Sequence, residues 1–246
     1  MTRLIFLYLV GLLFAVNHYV EEVHFLSANP FSFYDVITNL ENQESQDVFG
    51  VLTIPAHNDT TTIFPLVIGV AGSLGWGEHH YKYFKMYQEM GIATFELNSF
   101  KSRNVTSTVG TQVDCTHAMM ILDAYRALEV LSDYPKIDGN RIAITGWSLG
   151  GGVTLFSGWD PLRNAIGIDK NFAAHLSFYP PCIAEPEVLN FTDSPIHILT
   201  GELDNWVPAE ACEDLVEKMV IKGVNIDITV YDGAHHSFDR EQEVEI

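Results

Sequence analysis

Short apolar segments alternate with helical patterns along this chain, and that alternation constrains its fold more than any other feature. Residues 65–70 (PLVIGV), 92–97 and 141–145 are predicted to be strands, and the first is a continuous apolar run of the kind that a sheet covers on both faces. Helical patterns at 81–90 and 115–131 separate these strands. The sequence therefore predicts an α/β fold, with a mostly parallel central sheet flanked by helices. Further strands are predicted at 49–55, 172–179, 196–200 and 226–231, and a further helix at 208–222.

The balance of charge excludes one class of partner. The 246 residues include 32 acidic and 13 basic side chains, which give a formal net charge of −19 at pH 7. A chain of this charge repels phosphate backbones and anionic lipid headgroups, so we expect no nucleic-acid partner. The length is that of one domain, and a hydrophobic fraction of 47% is enough for a large core.

The N-terminal segment resembles a secretory signal peptide. Arg3 is followed by an apolar run over residues 4–16, which is shorter than the ~20 residues that a spanning helix needs. We predict a signal peptide over 1–20 and a single domain over 21–246, and hence a secreted or periplasmic protein with no membrane span after cleavage. The alternative is a buried N-terminal helix or an uncleaved segment that anchors the protein to a membrane.

Export places a protein where disulfides form, and the chain has three cysteines. An odd number leaves at least one thiol unpaired. Cys115 lies in an apolar helical pattern and is predicted to be a small core residue. Cys182 and Cys212 each follow a predicted strand near one end of the sheet, which leads to the hypothesis that they pair.

The strongest chemical signal is a G-x-S-x-G motif formed by Gly146, Ser148 and Gly150. It lies between the predicted strand 141–145 and an apolar helical stretch, which is the context that a nucleophile elbow requires. The turn is so tight that the nucleophile takes strained dihedral angles, and side chains at the flanking positions would collide with backbone. Ser148 is therefore the predicted nucleophile; the alternative is a serine that only caps a helix.

A serine hydroxyl needs a base and an acid, and both have candidates downstream in the chain order that hydrolases of this type use. The loop after strand 196–200 carries Glu202 and Asp204, and the residue deeper in that loop, Asp204, is favoured. The loop after the last predicted strand carries the adjacent pair His235 and His236. Either histidine is a candidate base on this pattern alone.

The oxyanion of an acyl-transfer intermediate needs two fixed donors. One is predicted to be the backbone N–H of Leu149, which follows the nucleophile. The other is predicted to be the N–H of Ser73, in the glycine-rich loop 71–75 after the strand 65–70; the alternative is an ordinary glycine turn. The sequence has two pairs of adjacent histidines, His79–His80 and His235–His236. Adjacent residues share no face of a strand or helix, so neither pair predicts a metal site, and no cofactor or metal is implied.

Three motifs together resemble the dienelactone hydrolase family of α/β-hydrolases: 146–152 (GWSLGGG), 201–208 (GELDNWVP) and 231–239 (YDGAHHSFD). The resemblance implies an α/β-hydrolase fold and places the catalytic histidine on His236. The family also carries an arginine four residues after that histidine, here Arg240, which can meet a substrate carboxylate. This chain has Ser148 where the dienelactone hydrolases proper have cysteine, and it lacks their glutamate in the loop 71–75. Both departures favour a general serine esterase that acts on a small ester or lactone.

Further side chains are candidates for substrate binding. Trp76, Trp147, Trp206 and Phe238 lie in or beside the loops of the predicted site, where they line an acyl pocket or only pack. Arg103 and Arg240 are candidates for binding a substrate carboxylate. The alternative is that both are ordinary arginines on the solvated surface. Two other functions stay open: a cutinase-like polyester hydrolase or peptidase with the same three residues, and a binding module without catalysis. A module of that kind has no need of the intact serine, aspartate and histidine.

Overall fold

The structure is a computed structural model that describes residues 18–57, 59, 61–111, 113–182 and 184–241. Eight strands of the described chain form one sheet in the order β1-β2-β4-β3-β5-β6-β7-β8. From β4 to β8 all neighbours are parallel, whereas β1 and β2 join the edge as an antiparallel pair. This confirms the predicted mostly parallel sheet. The strands are β1 Tyr19–Ala28, β2 Ser45–Ile54, β3 Phe64–Val70, β4 Ala93–Leu97, β5 Ile137–Trp147, β6 His175–Phe178, β7 Ile196–Gly201 and β8 Ile226–Tyr231.

Helices cover both faces of the sheet, as its buried central strands require. The three predicted from the sequence are present as α2, α3 and α6, and the apolar stretch after Ser148 is α4. Two short helices, α1 and α5, are not predicted, because six or seven residues hold too few turns to show a period. The helices are α1 Phe33–Thr38, α2 Glu78–Glu89, α3 His117–Ser132, α4 Leu149–Phe156, α5 Asp160–Ile166 and α6 Ala209–Ile221. No helix in the described ranges is long and apolar enough to cross a membrane.

The edge strand β1 is the largest element that the sequence pattern does not predict. Burial alternates along it, but the inward side carries the polar residues Glu21 and Ser27 while the apolar Val20 and Leu26 are exposed, so the sequence shows no apolar alternation. It begins at Tyr19, and its first two residues therefore fall inside the segment predicted to be a signal peptide. Residues 1–17 of that segment lie outside the described residues.

A buried ion pair joins Arg103, in the segment after β4, to Asp123 of helix α3, and it corrects the expectation that Arg103 binds substrate. The Arg103 guanidinium makes a bidentate pair with Asp123, at 2.7 and 3.0 Å. Its remaining N–H groups donate to Asn29 Oδ1 and to the carbonyl oxygens of Ala28 and Ser99. All five guanidinium donors are thus used within the fold, and the side chain is 5% exposed. Arg103 has no donor left for a substrate carboxylate.

Cys182 and Cys212 form a disulfide, as hypothesised, and Cys115 is a buried free thiol. The bond ties α6 to the loop after β6 and closes a segment of 30 residues.

Loop-closure entropy predicts that replacing both Cys182 and Cys212 by serine lowers the free energy of unfolding by about 3–4 kcal/mol. Urea unfolding of this variant and of the oxidised protein measures the difference. Equal midpoints, or three titratable thiols in the unfolded, unreduced protein, would contradict the bond.

Candidate active site

Ser148 occupies a sharp turn between β5 and α4. Its φ is +55° and its ψ is −113°, a backbone conformation that costs a non-glycine residue of order 1–3 kcal/mol. The turn is held from the neighbouring strand, because the Ser148 N–H donates to the carbonyl oxygen of Phe178 at the end of β6, at 2.9 Å. The side chain therefore stands at the carboxyl edge of the sheet and at the N-terminus of α4, where backbone N–H groups have no helical partner.

The glycines on either side of Ser148 are required by close backbone contacts. A Cβ atom at Gly146 would lie 2.1 Å from the carbonyl oxygen of Gly150. A Cβ atom at Gly150 would lie 2.1 Å from the carbonyl oxygen of Val70, at the end of β3. Each of these contacts is with backbone, which cannot move aside, so both positions exclude any side chain. The G-x-S-x-G pattern thus follows from packing α4 tightly onto β3 and β5.

Asp204, His236 and Ser148 form one hydrogen-bonded chain. Asp204 follows β7, is fully buried at its side chain, and accepts bonds through Oδ1 from the N–H groups of Trp206 and Val207. Its Oδ2 lies 2.7 Å from His236 Nδ1. Since a carboxylate only accepts, Nδ1 donates, and Nε2 is then the acceptor for the Ser148 hydroxyl, whose Oγ lies at 3.0 Å. The arrangement suits a serine whose proton is to be removed.

Glu202 and His235, the alternative candidates for the acid and the base, lie outside the hydrogen-bonded chain of Asp204, His236 and Ser148. Glu202 Oε2 accepts the N–H of Gly233 at 2.8 Å, so this carboxylate links the loops after β7 and β8. His235 makes no side-chain contact with Ser148 or Asp204 in the part of the chain that the structure describes. The structure therefore brings Asp204 and His236 to Ser148.

The two predicted oxyanion donors flank the serine. Gly72 lies so close that a Cβ atom placed on it would be 3.5 Å from Ser148 Cβ, which puts the next residue, Ser73, beside the elbow. The Ser73 carbonyl accepts from Thr108 N–H and Ser107 Oγ, at 2.9 and 3.1 Å, and these bonds hold the loop. Among the described residues the Ser73 N–H has no backbone acceptor. Leu149 is the first residue of α4, so its N–H also has no partner within the helix.

The aromatic candidates separate into packing and exposed residues. Trp147 is 1% exposed, packs on Phe178 and donates Nε1–H to Asp239, so it is a core residue rather than a pocket wall. Trp206 is 68% exposed and stacks on the His236 ring, with centroids 5.5 Å apart. Phe238 packs on Tyr179. Trp206 is the tryptophan that can both meet a substrate and cover the histidine.

Trp76 lines a cavity of about 300 Å³ beside the glycine-rich loop 71–75. The walls come from the loop 71–76, from the residues after β4, and from Met120 of α3. Most of the lining is apolar, and the Trp76 indole is fixed by a bond from Nε1 to the carbonyl oxygen of Leu97. The cavity lies on the β3–β4 side of Ser148, whereas Asp204 and His236 follow β7 and β8 on the other side.

Arg240 lies near the start of α2. Its charge lies near His79 and His80, two buried residues of the first turn. Burial, the His79 charge and then Arg240 lower the pKa of His80 to about 3, which keeps this ring neutral. The structure shows no contact between Arg240 and the Ser148–His236–Asp204 chain.

Two residues that the sequence patterns do not single out, Tyr179 and Asp239, support the histidine loop, which comprises residues 232–241 and carries His236. The Tyr179 ring lies edge-on to the His236 ring, with centroids 4.8 Å apart, and its hydroxyl donates to Asp239 Oδ1 at 2.8 Å. Burial, followed by the charge of Asp239, raises the pKa of Tyr179 and keeps its proton on the hydroxyl. No periodicity or spacing marks either residue, because their role depends on contacts between strands that are distant in sequence.

The comparisons with known proteins decide the family. The model of the dienelactone hydrolase family matches residues 85–245, which is more than half of the chain and includes Ser148, Asp204 and His236. This chain belongs to the dienelactone hydrolase family. It is therefore an enzyme of the hydrolase class, as the sequence motifs predict.

Solved structures share the fold of this dienelactone hydrolase family member. A Klebsiella pneumoniae protein classed as a dienelactone hydrolase has a TM-score of 0.63 at 16% identity, with 89% of this chain and 88% of that chain covered. A dienelactone hydrolase-like promiscuous phosphotriesterase from metagenomic libraries has a TM-score of 0.62 at 16% identity, with 88% and 84% covered. A propionate-bound esterase of Thermogutta terrifontis has a TM-score of 0.62 at 18% identity, with 78% and 80% covered.

Proposed function

We propose that this enzyme hydrolyses small carboxylic esters through an acyl-enzyme on Ser148. The observation that carries the proposal is the hydrogen-bonded chain from Asp204 through His236 to Ser148 Oγ, at 2.7 and 3.0 Å, on a strained turn at the start of a helix. Membership of the dienelactone hydrolase family and the esterase among its structural neighbours support the same class of reaction.

In the proposed reaction, Ser148 Oγ attacks the ester carbonyl carbon while His236 Nε2 takes the hydroxyl proton. The carbonyl oxygen becomes an oxyanion that accepts from the N–H groups of Leu149 and Ser73. Asp204 holds the His236 ring and stabilises its charged form. The C–O bond to the alcohol then breaks, and the leaving oxygen takes the proton from Nε2. Water, deprotonated by His236, attacks the acyl-enzyme, releases the acid and restores Ser148.

The proposed mechanism also sets the direction in which the ester lies in the site. The leaving oxygen has to face His236, on the β7–β8 side of the serine, so the acyl chain extends toward the β3–β4 side. The apolar cavity beside Trp76 lies on that side, and we propose that it holds the acyl chain. Burying each methylene is worth about 0.8 kcal/mol, so two further methylenes raise kcat/KM by about tenfold.

Hydrolysis of p-nitrophenyl acetate, butyrate and octanoate by the purified protein tests this function. We expect turnover of all three, with kcat/KM for the butyrate about tenfold above that for the acetate, and loss of turnover in His236→Ala. His235→Ala is the matched control, since the neighbouring ring does not contact Ser148, and it should retain activity. Turnover that survives in His236→Ala would contradict the mechanism. Activity on polyester or peptide substrates alone would replace the small ester as substrate.

A further inference from the structure

Asp239 lies three residues after His236 and is held by aromatic side chains from the core. Its Oδ1 accepts the hydroxyl of Tyr179 at 2.8 Å, and its Oδ2 accepts Nε1–H of Trp147 at 3.1 Å. Trp147 and Tyr179 are each 1% exposed. A surface loop is thus joined to the interior through one carboxylate that accepts two buried donors.

The donors belong to the segments that position the nucleophile. Trp147 immediately precedes Ser148 in the chain, and Tyr179 follows Phe178, whose carbonyl oxygen accepts the Ser148 N–H. Tyr179 itself has a φ of +36° and donates its N–H to the carbonyl oxygen of Leu199 on β7. Asp239 therefore ties the histidine loop to the same strand ends that hold the serine.

The histidine loop is bonded to the loop after β7 near its start, through Gly233 N–H and the Ala234 carbonyl oxygen, and Asp239 supplies the bonds to the core beyond His236. Residues 232–241 contain no helix or strand, and Ser237, next to His236, has a φ of +59°. On the side toward β7, the His236 ring is bonded to Asp204 and stacked on the exposed Trp206. Tyr179 also contacts the ring, edge-on, and it bonds Asp239.

We propose that Asp239 is a positioning residue: through Tyr179 and Trp147 it holds His236 Nε2 at hydrogen-bonding distance from Ser148 Oγ. The inference rests on the proposed function and adds to it a second carboxylate, Asp239, outside the Ser148–His236–Asp204 chain. A displacement of about 1 Å between reacting groups costs up to about 100-fold in rate. Loss of Asp239 should therefore lower kcat while substrate binding is kept.

The test compares Asp239→Ala and Asp239→Asn with the wild type in p-nitrophenyl butyrate hydrolysis, well below each variant's melting temperature. We expect kcat to fall about 10- to 100-fold in Asp239→Ala, with KM within about threefold of the wild type. Asparagine keeps one acceptor oxygen, so Asp239→Asn should have an intermediate kcat. Ile166→Ala, a buried position of α5, is the control for lost stability, and it should lower the melting temperature without changing kcat at low temperature.

Repeating the substitution in a protein that already carries His236→Ala separates a positioning role of Asp239 from effects that do not involve His236. Because Asp239 is proposed to act through His236, adding Asp239→Ala to His236→Ala should not lower further the residual kcat that His236→Ala retains at high enzyme concentration. An equal loss in both backgrounds, or an unchanged kcat in Asp239→Ala, would overturn the proposal. The rate at which a fluorophosphonate labels Ser148 follows the same histidine-assisted attack, and should fall in parallel with kcat.

The controls also distinguish this inference from the proposed function. If His236→Ala loses activity and Asp239→Ala does not, the positioning role fails and the esterase mechanism stands. If the wild type neither turns over the ester nor reacts with the fluorophosphonate, both proposals fail. If it reacts with the fluorophosphonate but hydrolyses no ester, the labelling rates of the variants decide the role of Asp239.

Discussion

Ser148→Ala is expected to lower kcat for p-nitrophenyl butyrate by about 10⁴- to 10⁶-fold, because the proposed reaction has no other nucleophile. The melting temperature should change little. Alanine takes the same strained φ of +55°, and the Ser148 N–H keeps its bond to Phe178, so only the Oγ contact with His236 is lost. Initial rates and a thermal melt of the same preparation measure both quantities.

A matched serine keeps this result specific. Ser194 lies in the loop before β7, at the opposite edge of the sheet from Ser148, and Ser194→Ala should retain full activity. Residual turnover of Ser148→Ala within tenfold of the wild type would contradict a reaction on this side chain. A large loss of folded protein would instead show that the hydroxyl supports the elbow.

Arg103→Leu is expected to lower the free energy of unfolding by about 3–5 kcal/mol, because it leaves the fully buried Asp123 carboxylate without its partner. Folded Arg103→Leu should keep the wild-type KM to within about twofold, since all five guanidinium donors serve the fold. Urea unfolding and steady-state kinetics on carboxylate-bearing and neutral esters measure the two effects.

Two further variants test whether the loss of stability in Arg103→Leu comes from the unpaired Asp123 carboxylate. Arg126→Ala removes an exposed pair with Glu129 on the same helix and should cost less than about 0.5 kcal/mol. Asp123→Asn, added to Arg103→Leu, removes the unpaired charge and should recover part of the stability. A KM that rises only for carboxylate-bearing esters would restore Arg103 as a substrate-binding residue.

The predictable part of this fold is the part whose sequence is constrained by burial and backbone contact. The central strands are apolar because both faces are covered, and Gly146 and Gly150 are required because any Cβ would meet a carbonyl oxygen at 2.1 Å. Strand β1 shows no such pattern, since it lies at the edge and its inward side carries the polar residues Glu21 and Ser27. The pairing of Cys182 with Cys212 can be predicted as a hypothesis, because both cysteines follow strands at one end of the sheet.

The errors at the candidate site arise from contacts between distant segments. A charged residue such as Arg103 looks the same in the sequence whether it lies in solvent or pairs with a buried carboxylate 20 residues away. Trp147 adjoins the nucleophile in the chain, yet its side chain points into the core toward Asp239. The contacts of Asp239 can be recognised only in the folded protein, where the ends of β5 and β6 lie against the histidine loop. Sequence patterns locate strand ends, whereas the direction of each side chain depends on tertiary packing.

The covalent intermediate tests the central claim most directly. The protein is mixed with p-nitrophenyl butyrate, quenched with acid during turnover, digested and examined by mass spectrometry. The proposed mechanism predicts a butyryl group on the peptide that contains Ser148, absent from Ser148→Ala. Turnover of the same ester with no acyl group on any peptide, or with the group on a different side chain, would contradict an acyl-enzyme on Ser148.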